Sequence, residues 1–221
     1  MATQAPVERA SKWVNPAVQL RSQETLARIL DATERLLTER SFQAISVAEI
    51  AKAAGASPPS LYARFENKQA LLGALFERHA AAQRLWIKQI LAAEVWRDVP
   101  LAAMLRQTLP AIVEVYRAKQ GLIRAFLEQA ASDARFRAEW QELGKFLQDR
   151  AIEIVLDHRS ELSHDNPRRR VELGLEVVIA TFALRIVLHT IDDQDMNELA
   201  ELLTQIMLRH LGVADLPKAG A

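Results

Sequence analysis

Residues 46–72 read SVAEIAKAAGASPPSLYARFENKQALL, and this stretch decides the fold because it encodes two short helices in close succession. Ser46 and Glu49 have the S-x-x-E spacing of a capping box, in which each side chain satisfies a backbone donor at the start of a helix. Gly55 ends this helix after about two turns, because glycine adopts a positive φ without steric cost. The pattern therefore predicts a short helix over residues 46–54.

Two consecutive prolines begin the second short helix. Ser57 is a good N-cap, and Pro58 then occupies the first helical position, where its fixed φ suits a helix and its missing N–H loses no partner. Pro59 fits the second position for the same reason, and we expect the helix to continue to about Phe65. The two helices and the tight turn between them form a helix-turn-helix.

The segments on either side of this motif are also predicted to be helical. Over residues 23–37, apolar side chains recur every three or four positions, which indicates one buried helical face. Asn67 is a good N-cap for a longer helix that carries Leu71 and Phe76 inward. These two helices supply the apolar surfaces on which the short helices pack.

The rest of the chain keeps the helical period. A long amphipathic run covers residues 133–158, and two last helices are expected at about 168–189 and 195–211. Pro100 and Pro110 are expected to break or kink the helical pattern before that run. No strand-like alternation occurs, so we predict an all-α protein with an N-terminal three-helix head, which contains the helix-turn-helix, and a larger helical body.

Composition and length describe an ordinary globular protein. The chain has 221 residues, of which half are apolar and a quarter are charged, and its formal net charge is zero. A neutral chain is not a polybasic protein that coats nucleic acid indiscriminately. Cysteine is absent, which excludes disulfides, thiolate metal sites and a cysteine nucleophile. We find no secretory signal and no apolar stretch long enough to span a membrane, so we expect a cytoplasmic protein without a membrane partner.

A helix-turn-helix can insert its second helix into the major groove of duplex DNA. That groove is about 12 Å wide, close to the diameter of a helix with its side chains, so small or polar residues at the outer N-terminal end of the helix can reach base edges. Four residues occupy this end: Ser57, Pro58, Pro59 and Ser60. Two interpretations of the proline pair stay open: its rings offer apolar surface to a thymine methyl, or the pair serves only to begin the helix.

Residues around the second helix are candidates for contacts to DNA phosphates, which position a protein but do not read sequence. Tyr62 offers a phenolic hydroxyl, although a lone tyrosine is often just a half-buried helical residue. Lys68 begins the following helix, where backbone N–H groups already favour an anion. Hydroxyls at helix starts and two further cations complete the candidates: Ser46, Ser57, Arg21 and Arg64.

The stretch from Ile29 to Leu72 resembles the N-terminal DNA-binding head of the TetR family of bacterial transcriptional regulators, and the resemblance covers roughly residues 23–82. The positions that match the family signature are Ile50, Ala51, Ala54, Gly55, Ser57, Leu61, Tyr62, Phe65, Lys68, Leu71 and Leu72. Three positions depart from it. Ser41 stands where glycine is usual, Ala56 replaces valine, and Arg64 stands where histidine is common.

The resemblance implies a homodimeric transcriptional regulator, most often a repressor, that binds a palindromic operator in double-stranded DNA with one head per half-site. It also implies a body of about six helices that binds a small-molecule effector and dimerises through the last two long helices. We therefore expect a flexible N-terminal arm (1–20), a DNA-binding domain (21–82) with its helix-turn-helix at 46–65, an effector-binding and dimerisation domain (83–213) and a C-terminal tail (214–221).

Large apolar side chains on the middle helices are candidates for the effector pocket, because a small-ligand site needs apolar walls with a few polar groups. They are Trp86, Trp96, Met104, Tyr116, Phe126, Trp140 and Phe146. At helical spacing, such residues are more often core than pocket, and both interpretations stay open here.

Small residues on the penultimate helix and an apolar stripe on the last helix are candidates for a symmetric dimer interface. The small residues are Gly174, Ala180 and Ala183, and the stripe contains Leu199, Leu202, Leu203, Ile206 and Met207. Either feature could be internal core. A body of this size cannot easily bury both, which favours the interface.

Two other classes of protein remain alternatives. One is an enzyme with a helical body and an appended helix-turn-helix, against which stand the lack of a nucleophile–base pair, a glycine-rich phosphate loop and metal-ligand spacing. The other is a helical interaction module that has lost DNA binding, against which stand Tyr62, Lys68 and the helix caps. The sequence therefore predicts a protein that is not an enzyme and that needs no cofactor or metal.

Overall fold

The computed structural model describes residues 12–14, 20–188, 190 and 193–213. Its α-helices are α1 Leu20–Leu37, α2 Val47–Ala53, α3 Pro58–Tyr62, α4 Lys68–Ile90, α5 Ala93–Trp96, α6 Leu101–Ala118, α7 Gln120–Ser132, α8 Ala134–Asp157, α9 Pro167–Val187 and α10 Asp193–Leu211. A 3-10 turn, Arg159–Glu161, follows α8. The described residues contain no β-strand, so the predicted all-α fold is confirmed.

The chain divides into two compact units. The head unit comprises the described residues of 1–83 together with 121–138, and the body unit comprises those of 84–120 and 139–221. The first division lies one residue from the domain boundary expected at residue 82. Residues 121–138, expected in the body, instead pack with the head. The expected arm and tail lie outside the described residues except for residues 12–14 and 20.

The head unit buries one face of each of its short helices. In this unit α1 packs against α2, and α2 packs against α3. Ile29 of α1 and Ile50 of α2 are fully buried, and Leu61 of α3 is 2% exposed. Because these apolar side chains lie on one face of each helix, the opposite face of α3 is left open to solvent.

Three phenylalanines explain why residues 121–138 belong to the head unit. The ring of Phe76 on α4 lies 5.2 Å from that of Phe126 on α7 and 4.9 Å from that of Phe136 on α8, measured between centroids. Gly121, the second residue of α7, lies so close to the end of α1 that a Cβ there would overlap the carbonyl oxygen of Leu37. The second segment is therefore built into the head core.

The body unit is built around α6, α9 and α10. Helix α10 packs against both α6 and α9 within one continuous apolar core. Gly174 of α9 lies under the side chain of Met207 on α10, and a Cβ at this position would overlap the Met207 sulfur. The small residue thus allows α9 and α10 of the same chain to approach closely.

Pro110 lies inside α6 and does not break it. Of the expected break or kink, the break does not occur at Pro110, whereas Pro100 does stand immediately before α6, as its N-cap. A proline removes one backbone hydrogen bond. Here the ring is exposed, and the neighbouring Leu109 and Val113 are buried in the core, so tertiary packing holds the helix through the proline.

A buried histidine fixes the turn between α5 and α6. Nδ1 of His158 lies 2.9 Å from the carbonyl oxygen of Ile154, and Nε2 lies 3.1 Å and 3.0 Å from those of Trp96 and Val99. Burial opposes the charged imidazolium, but these hydrogen bonds and the nearby Glu161 carboxylate favour it and raise the pKa of His158 above its usual value. Both ring nitrogens face acceptors, which suits a doubly protonated ring.

Candidate nucleic-acid interface

The capping box at the start of α2 is formed as the sequence predicts. The backbone N–H of Glu49 donates to Ser46 Oγ at 3.2 Å, and the backbone N–H of Ser46 donates to the Glu49 carboxylate at 2.8 Å. Arg40 donates to the same carboxylate at 2.7 Å. Hydrogen bonds from Ser46, then the contact with Arg40, lower the pKa of Glu49 to about 2. The hydroxyl of Ser46 stays at the exposed start of α2.

The turn between the two short helices also matches its prediction. Gly55 has a φ of +59°, a conformation that glycine adopts without strain. Ser57 then caps α3, and its Oγ accepts from the backbone N–H of Ser60 at 3.4 Å. Helix α3 ends at Tyr62, before the expected Phe65, although the Phe65 N–H still donates to the Leu61 carbonyl at 2.8 Å.

The outer face of α3 projects to solvent. Ser57, Pro58 and Pro59 are exposed, and Tyr62 is 57% exposed, whereas Leu61 behind them is buried. Tyr62 is therefore not a half-buried helical aromatic. This short exposed helix offers two apolar rings, a phenolic hydroxyl and a capping serine, a combination that fits a groove lined by base edges and bordered by phosphates.

Arg64 and Ser60 are joined at the C-terminal side of α3. Nη1 of Arg64 donates to Ser60 Oγ at 2.7 Å and to the Ser60 carbonyl oxygen at 2.8 Å. Both residues are half-buried. Ser60 is therefore less open than the three residues before it, and its hydroxyl is held by a cation.

Lys68 at the start of α4 points back to the segment before α2. Its ammonium donates to the carbonyl of Phe42 and makes a long contact of 3.5 Å to the carbonyl of Gln43. Burial lowers the pKa of Lys68, and the Glu49 carboxylate opposes this shift. Asn67 caps α4, as its Oδ1 accepts from the Ala70 N–H at 2.8 Å. The side chain of Arg21, a further predicted contact, lies outside the described residues.

The residues predicted for the effector pocket do not all lie in one unit. Phe126 is fully buried in the core of the head unit, against Phe76 and Phe136, and not in the body unit in which the pocket is expected. The other six lie in the body unit. Trp96 and Met104 are buried in its core, and the indole N–H of Trp96 donates to the Ile90 carbonyl at 2.6 Å.

Four candidate pocket residues are only partly buried in the body unit: Trp86, Tyr116, Trp140 and Phe146. The Tyr116 ring stacks on Phe182 with 5.3 Å between centroids. Burial raises the pKa of the Tyr116 hydroxyl. Trp86, Tyr116 and Phe146 are partly buried and pack against the body core.

The residues predicted for the dimer interface divide into two groups. Four of them, Gly174, Leu199, Leu203 and Met207, are buried inside the chain, where α9 meets α10 and α6, so they pack on their own chain and offer little surface to a partner. The periodic pattern did not distinguish the inner face from the outer one. Ala183 is half-buried, and the others are exposed: Ala180, Leu202 at 52% and Ile206 at 40%.

An exposed apolar stripe on α9 was missed by the sequence analysis. It consists of Leu173, Val177, Leu184 and Val187, which with Ala180 are spaced alternately by four and three residues. This spacing is typical of a helix that packs lengthwise on another helix. It is hidden in the sequence because α9 carries apolar residues on its inner face as well. The stripe is the largest set of exposed apolar side chains along any one described helix.

Among the described residues, no three or more His, Asp or Glu side chains come together in a group that could hold a metal ion. Their helices include none with the length and hydropathy to cross a membrane.

Comparisons with known proteins agree with the geometry of the head. Residues 29–75 match the family model described as bacterial regulatory proteins, tetR family. An HTH-type transcriptional regulator of Mycobacterium tuberculosis is 37% identical over 38% of this chain and 50% of the relative. The HTH-type regulator YvkB of Bacillus subtilis is 39% identical over 34% of this chain and 39% of YvkB. This chain thus spans half or less of the length of these two relatives.

Solved structures extend the similarity of fold to most of the chain. A TetR-family transcriptional regulator from Mesorhizobium loti superposes with a TM-score of 0.70 at 16% identity, covering 86% of this chain and 98% of that one. The regulator FadR from Bacillus subtilis, in complex with stearoyl-CoA, gives a TM-score of 0.62 at 19% identity, covering 83% and 98%. At such low sequence identity, these superpositions show that the fold is shared and nothing more.

Proposed function

We propose that the chain is a DNA-binding transcriptional regulator of the TetR family that represses its target genes, and the match of residues 29–75 to that family's model supports this. In this proposal, α2 lies across the DNA backbone and α3 enters the major groove. One observation carries it: Pro58, Pro59 and Tyr62 project from α3 to solvent, while Leu61 anchors the helix to a rigid core.

The exposed residues of α3 have separate roles in this proposal. Ser57, Pro59 and Ser60 face base edges, and the rings of Pro58 and Pro59 offer apolar surface to thymine methyl groups. Tyr62 donates to a phosphate. The Ser46 hydroxyl donates its one proton to the Glu49 carboxylate at 2.7 Å, so it reaches a phosphate only by giving up that hydrogen bond. Lys68 has three donors, of which the Phe42 and Gln43 carbonyls occupy two, and the third is directed to a phosphate. Arg64 is a further cation near this surface, and Arg21 remains a predicted phosphate contact.

A dimer supplies the second head. Two recognition helices reach successive major grooves only when they are about 34–36 Å apart or a multiple of that distance, which matches a palindromic operator. The interface is formed by the exposed stripe of α9 together with Leu202 and Ile206 of α10. An apolar surface of this kind is unfavourable in water, and burying it against its own copy gives a two-fold symmetric contact.

The body unit binds a small-molecule effector that releases the operator. FadR, which shares this fold, has stearoyl-CoA as its ligand, and the partly buried Trp86, Tyr116, Trp140 and Phe146 are candidate contacts for the apolar part of an effector here. The effector must bind the state that does not fit DNA more tightly than the state that does. The protein acts in the cytoplasm as a regulator and not as an enzyme, without a cofactor or metal.

Selection of bound duplexes from a random library tests this function. A regulator of this kind enriches one palindromic sequence, and its affinity falls steeply as salt is raised. Tyr62→Ala should weaken binding of the selected operator, whereas Val95→Ala, a change at a residue of the body unit that is 56% exposed, should leave it unaltered. A library that shows no enrichment, together with no salt-dependent affinity for any duplex, would refute the proposal.

A further inference from the structure

A hydrogen-bonded pair at the end of α3 constrains how one residue of this helix can read DNA. Nη1 of Arg64 donates to both the hydroxyl and the carbonyl oxygen of Ser60, at 2.7 Å and 2.8 Å. The two residues are four apart, the spacing at which side chains of one helical turn meet. Two contacts from one nitrogen place the guanidinium beside the Ser60 hydroxyl.

The direction of the Arg64–Ser60 hydrogen bond follows from the chemistry of its groups. A guanidinium carries only donors, so the Ser60 oxygen must accept. The hydroxyl has one proton, which cannot be directed to Arg64. Within the part of the chain that the structure describes, no oxygen accepts that proton from Ser60. The hydroxyl therefore retains a donor, and with Arg64 in place it acts outward as a donor.

The positive charge beside the Ser60 oxygen selects among base edges. A guanidinium 2.7 Å from the hydroxyl repels the amino groups that cytosine and adenine present in the major groove. Guanine presents two neighbouring acceptors there, N7 and O6, and no donor. We propose that Arg64 is a positioning residue that directs the Ser60 hydroxyl to donate to N7 of a guanine in each operator half-site. This inference rests on the proposed DNA-binding function.

The role of a positioning residue differs from that of a phosphate contact. A cation that contacts a phosphate affects all sequences alike, and its loss lowers the salt dependence of binding by about one unit. A cation that orients Ser60 affects one base position. The two roles are therefore separable by measurement.

The test uses the selected operator with each guanine replaced in turn by 7-deazaguanine, which lacks only the N7 acceptor. One position in each half-site should lose about five- to tenfold in affinity, the size expected for one hydrogen bond. Inosine at the same position keeps N7 and O6 and loses only the minor-groove amino group, so it should bind within about twofold of guanine.

Protein variants then assign the effect to the pair. Ser60→Ala should bind the normal operator and the 7-deazaguanine operator with equal affinity. Ser60→Thr keeps the hydroxyl, so it should still bind the 7-deazaguanine operator more weakly than the normal one. Arg64→Lys, which keeps the charge but loses the directed fork, should reduce the affinity difference between the two operators. Arg64→Met, which removes the charge, should leave the salt dependence unchanged, whereas the loss of a phosphate contact would lower it by about one unit. Thermal melting confirms that each variant is folded.

Three results would overturn the inference: no position sensitive to 7-deazaguanine, a sensitivity that Ser60→Ala leaves intact, or a sensitivity that Arg64→Lys leaves at the wild-type size. In each of these cases the operator would still be bound with salt dependence, so the proposed function would stand. Loss of all duplex binding by the wild-type protein would instead refute that function.

Discussion

The ammonium group of Lys68 lies 4.3 Å from the centroid of the Phe42 ring and donates to the backbone carbonyl of the same residue. One side chain at the start of α4 thus holds the segment that leads into α2. Phe42 is itself 3% exposed, so the ammonium is held against a buried ring. A residue expected to contact only phosphate also fixes the position of the helix-turn-helix.

Lys68→Met should weaken binding of all duplexes alike and reduce stability by about 1 kcal/mol. The first effect follows from one lost phosphate contact, which lowers the salt slope by about one unit, and the second from the lost charged hydrogen bond to Phe42. Methionine keeps most of the apolar stem. Salt-dependent titration and thermal melting measure the two effects.

Lys88→Met is the matched control for Lys68→Met. Lys88 is exposed on the same helix, about 30 Å along its axis at 1.5 Å per residue, and belongs to the body unit. We expect Lys88→Met to change neither the salt-dependent affinity for DNA nor the melting temperature by much. Equal effects of the two substitutions would show that only the net charge matters, contrary to the role assigned to Lys68.

Ser46→Ala should destabilise the protein by about 1 kcal/mol, because the first turn of α2 loses its capping hydroxyl. Ser41→Ala makes the same chemical change five residues earlier, at an exposed position outside the helices, and should cost much less. Denaturant unfolding of both variants at one protein concentration provides the comparison. A smaller loss for Ser46→Ala than for Ser41→Ala would contradict the importance of the capping box.

The imidazole of His158 should make stability depend on pH. Its pKa is raised in the folded state, so its stabilising contribution is complete below the unfolded pKa of about 6.5 and is lost as pH rises through the folded pKa. His158→Gln should remove this part of the decline in melting temperature as the pH rises above 6.5. An unchanged pH profile in His158→Gln would exclude the imidazolium as the cause.

Leu184→Glu should convert the dimer into monomers and abolish cooperative binding of the two half-sites. Leu184 is 60% exposed in the stripe on α9, and a carboxylate there would be buried without a partner in the dimer. Leu85→Glu provides the control, because Leu85 is a comparably exposed leucine, at 50%, on α4. Sedimentation velocity at micromolar concentration measures the result. A dimer that survives Leu184→Glu would place the interface elsewhere.

Local signals made the helix-turn-helix predictable. The spacing of Ser46 and Glu49, the positive φ required at Gly55 and the helix start at Ser57 each depend on a few neighbouring residues, and each is found in the structure. The i, i+4 contact of Arg64 with Ser60 was also within reach of such reasoning. It was missed because Arg64 was assigned only as a cation for a DNA phosphate.

Long-range packing limited the predictions for the body. Gly174 and Leu203 carry the spacing expected of an interface, yet they pack on their own chain, since helical period identifies an apolar face and does not identify what covers it. Phe126 joins the head core because α7 returns to α4 across about 50 residues of sequence. The Trp13 ring lies so close to Gly73 on α4 that a Cβ there would overlap it. This contact also joins residues far apart in the sequence, so it could not be predicted either.

The central claim is that α3 enters the major groove, and site-directed DNA cleavage tests it most directly. The chain has no cysteine, so Pro59→Cys provides one thiol for a tethered iron chelate. Lys145→Cys, at a side chain of the body unit that is 73% exposed, provides the control. With Pro59→Cys, cleavage of the selected operator should centre on two sites about 10 base pairs apart, or a multiple of that, one per half-site. Cleavage no stronger than that from Lys145→Cys, at unchanged affinity, would contradict the claim.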